Sequence, residues 1–239
     1  IYIWAGAGYS TGANGLGING TNPTLASGTG SITIIADEII NGSGALPLSI
    51  STTGDFTYKP HTTSFENSDT LGSLFSFSSN PANFVIGKSG NLTNVTLAAN
   101  ITTTGTQTYY APITLSGGTR TLAASTVNFV DTLAGGTNGL TITGNLDLDG
   151  AATGLSTLAV SGTSNLGADV TTSSTQTYSD DTTISNNITL TTTNSNVSFG
   201  ATTDAGTAGD TLTIAAGSGD VTFTDAVGGS TAMGNITIT

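Results

Sequence analysis

Three-residue units of the form apolar, small polar, apolar recur along the whole chain. Examples are Ile32-Thr33-Ile34, Leu48-Ser49-Ile50, Val95-Thr96-Leu97 and Leu140-Thr141-Ile142. Alternation with a period of two sends the outer pair of side chains to one face and the middle one to the other, the signature of a short, half-buried strand. The stretches between units are rich in Gly, Asn, Ser and Thr, which suit turns and the positive φ that turns often need. Strong helix formers other than Ala are sparse, and Gly and Thr interrupt every candidate helical window. The pattern predicts an all-β chain of very short strands.

The spacing of the units predicts how those strands are arranged. Ile188-Thr189-Leu190, Leu212-Thr213-Ile214 and Ile236-Thr237-Ile238 follow one another at a constant 24-residue step, and Val197-Ser198-Phe199 and Val221-Thr222-Phe223 keep the same step. Two interleaved series with a common period mean that the chain returns to the same place every turn of a solenoid. The expected fold is a parallel β-helix of about 24 residues per coil and roughly ten coils. It is expected to be right-handed, because parallel crossover connections nearly always are. Ile188, Leu212 and Ile236 should then stack inward, and Thr189, Thr213 and Thr237 should form an outward file.

The tetrapeptide TQTY occurs at Thr106–Tyr109 and again at 175–178. Six strand-like units follow each copy in the same order, so residues 103–239 are read as a three-coil supra-repeat occurring twice, with TQTY as its register mark. Residues 37–92 are less regular. They carry Phe56, Tyr58, Phe65, Phe75, Phe77 and Phe84 with no clear period, and are expected to hold longer loops or a small excursion. Binding, where it occurs, is expected on these loops near Lys59. The chain as a whole, 1–239, is read as one continuous solenoid segment. Tandem Ig-like sandwiches are the alternative, but a sandwich has no reason to repeat internally at so short a step.

Composition narrows the function. Only 8% of residues are charged, against about a quarter in an ordinary domain. The net charge is −12, and Lys59, Lys88 and Arg120 are the only Lys or Arg residues. Three cations leave no electrostatic footprint for nucleic acid or for an anionic membrane. No stretch approaches the ~20 apolar residues of a membrane-spanning helix, and no signal-peptide pattern is evident. The absence of cysteine excludes disulfides and thiolate metal sites. Ile1 begins what reads as a strand, so the segment is expected to be an excised piece of a longer chain.

Candidate chemistry is thin. Asp147 and Asp149 share one side of a strand, and Asp180 and Asp181 adjoin the second TQTY, but no base accompanies either pair. They are read as solvated acids, with calcium as the alternative ligand. His61 has no second His or Cys to complete a metal site, and no nucleophile elbow accompanies it. The segment 6–12, GAGYSTG, lacks the Lys of a phosphate loop and precedes no helix. Trp4 is expected in the core. Eight N-x-Ser/Thr sequons, including Asn91, Asn94 and Asn100, follow from the abundance of Asn and Thr. No catalytic, cofactor-binding or metal-ligating residue is assigned, and no cofactor is expected.

The stretches SGTGSITIIADEI, NFVIGKSGNLTNVTL and TTTGTQTY, followed by the ITL, VNF and LTI units, resemble filamentous-haemagglutinin-like exoproteins and related giant repeat adhesins of bacterial surfaces. The resemblance covers most of the chain. It implies a secreted, extracellular β-helical segment on the bacterial cell surface. Such a segment acts as a rigid spacer and adhesive stalk, not as an enzyme. Its expected partners are neighbouring coils or copies stacked end to end, and a glycan or protein receptor. A Thr-ladder ice-binding solenoid and a polysaccharide-cleaving β-helix enzyme are the two alternatives.

Overall fold

The computed structural model describes residues 1–4, 15–19, 22–42 and 47–239. The glycine-rich segment 6–12 lies outside them. Among the described residues every regular element is a strand, and none is a helix that could cross a membrane. The strands pair in parallel and stack as a β-solenoid of about ten turns, with equivalent positions about 21 residues apart. Two compact units divide the chain, 1–114 and 115–239.

In the 115–239 unit the coils from Leu158 to Ala215 contain three strands each. One coil runs through Leu158–Val160, Ser164–Leu166 and Val170–Thr172; the next through Gln176–Tyr178, Thr182–Ile184 and Ile188–Thr191. Three-residue strands with buried outer positions present two inward side chains each, so a thin core repeated coil by coil absorbs a modest supply of apolar residues. One inward column is Ile142, Val160, Tyr178, Phe199 and Phe223. Its aromatic members stack face to face, Tyr178 on Phe199 at 5.3 Å and Phe199 on Phe223 at 4.8 Å between ring centroids.

The register confirms that Ile188, Leu212 and Ile236 are equivalent positions on successive coils, and that Val197 and Val221 pair in a different sheet. Ile188 and Leu212 are buried, while Ile236 on the last coil is 37% exposed. Thr189 and Thr213 are half-buried in the outward file and Thr237 is exposed. The 24-residue step, however, is a property of these coils and not of the whole chain. Leu140 pairs with Leu158 and Leu158 with Gln176, so these coils advance by only 18 positions each. The coil from Leu158 and the coil from Ile188 are alike built of three- and four-residue strands, so their difference lies in the turns, where added residues cost little.

The supra-repeat units also fall in different places. Leu140–Ile142 and Leu146–Leu148 lie in one strand, Leu140–Leu148, whereas the units matching them in order, Leu212–Ile214 and Val221–Phe223, belong to separate sheets. Gly144 makes the long strand possible. Its φ is 120°, and a Cβ there would collide with the carbonyl oxygen of Ala124. The strand turns a corner at this glycine, and later coils break at the matching point into two strands.

In the 1–114 unit, Ile32, Phe56, Phe84 and Gln107 form one inward column and Ile34, Tyr58, Ile86 and Tyr109 the next. Phe56 and Phe84 are register partners 28 positions apart in sequence, so this coil is longer than any in the regular series. Phe56, Tyr58, Phe65, Phe75 and Phe84 are all 2% exposed or less. The expectation that these aromatics decorate binding loops is therefore overturned: they are core. Their rings pack together in the interior. Phe56 packs edge-on to Phe75 at 5.1 Å and stacks on Phe84 at 5.7 Å, and Tyr58 lies 4.6 Å from Phe65. Phe77 is half-buried beside Phe75 in a hollow of about 270 Å³.

Candidate functional site: a polar cleft on the 115–239 unit

The middle, outward residues of one strand stack form the file Asn128, Asp147, Asn165, Thr183, Asp204. Beside it, at the corner preceding each strand, stand Thr126, Asn145, Thr163 and Asp181. Between these rows lies a cleft of about 420 Å³. Asp147 and Asp181 both line it, so each acid pair singled out in the sequence contributes one member. Asp149 and Asp180 do not. Asp149 is exposed beyond the strand end, its carboxyl pushed up by partial burial and by the charge of Asp147.

The carboxylates and amides of the cleft are occupied in bracing coils. Asn165 Nδ2 donates to Asp147 Oδ1 at 2.8 Å. Asp181 Oδ1 accepts from both the backbone N and the Oγ1 of Thr202, at 3.1 and 2.7 Å. Asn145 Oδ1 accepts the Thr163 backbone N at 3.0 Å. The same device recurs elsewhere. Asn187, Asn194 and Asn196 accept the backbone N–H groups of Thr211, Ser218 and Asp220, each 24 residues on. Asp169 accepts that of Thr189. A turn Asn or Asp satisfies a backbone donor of an adjacent coil that the strand ladder does not reach. The sequence reading as solvated acids missed this role. A signal was present, since each of the three Asn braces spans the same 24-residue step as the strands.

No group of three or more His, Asp or Glu residues that could hold a metal ion occurs among the described residues. Arg120 turns to its own loop, its guanidinium donating to the carbonyls of Gly117 and Gly118. The cleft offers hydrogen bonds and the negative charge of Asp147 and Asp181. Behind it lies a feature that the apolar-unit pattern did not reveal. The inward column Leu146, Ser164, Thr182, Thr203 is hydroxyl-bearing for three coils, and Ser164 Oγ and Thr203 Oγ1 are buried without a hydrogen-bond partner.

The two TQTY copies are local structures of one design. In each, the Gln and Tyr are fully buried and the Tyr hydroxyl donates to the Gln Oε1, at 2.9 Å for Tyr109 and 3.1 Å for Tyr178. Each Gln Nε2 reaches back across a corner to the carbonyl six residues earlier, Ile101 at 3.0 Å or Val170 at 3.3 Å. Thr103 and Thr172 hydroxyls each close the intervening turn on the carbonyl two residues ahead. Burial holds both tyrosine hydroxyls above their ordinary range. TQTY is a buried corner clamp.

In the 1–114 unit, Tyr58 donates to Asp69 Oδ2 at 2.5 Å in the interior. Burial pushes the Asp69 carboxyl up to about 6, outweighing the hydrogen bond, which acts in the opposite direction; the charge of Glu38 adds to the rise. Of the sequons, Asn91 is fully buried, its side chain tied to Phe65 N and Thr93 O, so it offers no glycan acceptor. Asn94 is half-buried and Asn100 exposed. Trp4, expected in the core, is 58% exposed, and its ring lies 5.6 Å from that of His61.

No family model, curated protein or solved structure matches this chain.

Proposed function

We propose that the chain is a structural segment of a large extracellular bacterial adhesin or surface filament, acting as a rigid spacer and stalk. One observation carries this reading: within each unit, pairing passes from coil to coil in parallel register, and turn Asn and Asp side chains brace it. Such a stack holds distance, is resistant to proteolysis through continuous backbone pairing, and tolerates variation in its turns. The sparsely charged, hydroxyl-rich outer surface suits a stalk in solvent. The Thr-ladder alternative finds less support, because the outward pair Thr189 and Thr191 is broken on the next coil, where Ala215 takes the position of Thr191.

A spacer tolerates loss of a whole coil. Deleting residues 158–175 brings Gln176 into the position of Leu158, since Leu140, Leu158 and Gln176 are successive register partners. The shortened chain is expected to fold cooperatively and to lose ~4.8 Å of stack. A Gly/Ser replacement of the same residues is expected to be cleaved by protease at that point. Incubation with pectins, alginates and host glycans is expected to release no new ends. Turnover abolished by Asp147→Asn, or a collapsed fold after the in-register deletion, would overturn the spacer reading.

A further inference from the structure

One face of the 1–114 unit gathers a set of side chains at odds with the rest of the molecule. Tyr2 and Trp4 are 69% and 58% exposed. They stand on the outward side of their strand, because their register partners Thr33 and Ile35 are the outward residues of Ile32–Ile35. Ile35 in turn pairs with Lys59, the outward neighbour of buried Tyr58. The Lys88 Nζ donates to the backbone oxygen of His61, whose ring meets Trp4. The chain's single Trp, single His and two of its three Lys and Arg residues thus converge on one face of a molecule with net charge −12.

Asp37 and Glu38 brace the adjoining turn. Asp37 accepts the backbone N of Thr62, and Glu38 accepts Asn67 Nδ2. The rings stand on the outward side of the sheet, in rank with Thr33 and Ile35. A partner for this face needs a flat apolar surface to lie on the indole and phenol, and negative charge at its edge to meet the ammonium groups. An anionic bilayer or a second copy presents an extended surface that meets the −12 of the whole molecule, whereas a short saccharide meets only the lysine-bearing face, the remoter charge being screened. A pyranose ring bearing a carboxylate has both features: an apolar C–H face and an anion on its rim.

We propose that Tyr2, Trp4, Lys59 and Lys88 form a docking face for a uronate-bearing polysaccharide, with a sugar ring on Trp4 and its carboxylate beside the lysines. This extends the stalk reading by giving it a ligand. The binding result and the coil-deletion result can fail independently of one another.

The test is calorimetric titration of the full chain with an oligogalacturonate at low and physiological salt. Neutral maltoheptaose and poly-glutamate serve as probes of ring and charge alone. Oligogalacturonate is expected to bind, more weakly at the higher salt, and both comparison ligands to bind less well. Trp4→Ala is expected to weaken binding by about tenfold or more, Trp4→Phe by less. Lys59→Gln with Lys88→Gln is expected to weaken it and flatten its salt dependence, with circular dichroism unchanged in every variant. No binding of oligogalacturonate, equal binding of poly-glutamate, or binding undiminished in Trp4→Ala would overturn the proposal. Self-association lost in Trp4→Ala without saccharide binding would assign the face to a second copy and overturn it equally.

Discussion

At the residue scale, the polar side chains matter as much as the apolar ones. Gln176 sits at 0% exposure, donating to the carbonyls of Thr191 and Val170 and accepting from Tyr178. Gln176→Leu keeps the volume but strands those groups, and is expected to cost about 2–3 kcal/mol in urea unfolding. Adding Tyr178→Phe removes the orphaned hydroxyl, so the double variant is expected to cost less than the sum of the two singles. Asp69 gives a pH prediction. Its folded carboxyl, pushed up to about 6, binds a proton more tightly than the ~3.9 of an unfolded Asp. The folded state therefore holds the extra proton between these values, and stability is lost as pH rises through that window, by about 2–3 kcal/mol. Asp69→Asn is expected to abolish that component and to raise stability at pH 7. Urea titrations of both proteins at pH 4 and 7 check it; a wild-type-minus-variant difference that does not change with pH would refute it.

At the element scale, a three-residue strand is stable only because identical strands lie above and below it. Leu212 is the clearest case, fully buried between Ile188 and Ile236 in the register. Leu212→Asp places an unpaired carboxylate in the core and is expected to cost several kcal/mol. Hydrogen exchange should rise in Ile188–Thr191 and Ile236–Ile238 as well as in Leu212–Ala215, because each coil packs only on its neighbours. Ile236→Asp, at a position 37% exposed, is expected to cost far less. Protection lost only at Leu212–Ala215 would contradict this account of how stability is shared.

At the scale of the whole molecule, period-two units and a recurring step were enough to read an all-β parallel solenoid, the inward column at Ile188, Leu212 and Ile236, and the outward Thr file. Those follow from local alternation and from equal turn lengths, both of which are written along the chain. The shorter steps between Leu140, Leu158 and Gln176 were not legible in this way, because a turn can shorten without changing the strands it joins. Nor was the fate of the aromatics. Phe56 and Trp4 each stand in an alternating stretch, yet one is buried in the core and the other faces solvent. Which face of a strand is inward depends on the coil beneath it, and that is a tertiary fact. The same holds for the cleft: Asp147 and Asp181 are 34 positions apart in sequence, and only stacking brings them to one surface. Sequence alone determined the strand type and the stack. Which side chains became core, brace or surface was decided by how the coils stack, because a residue's neighbours come from the coils on either side of it.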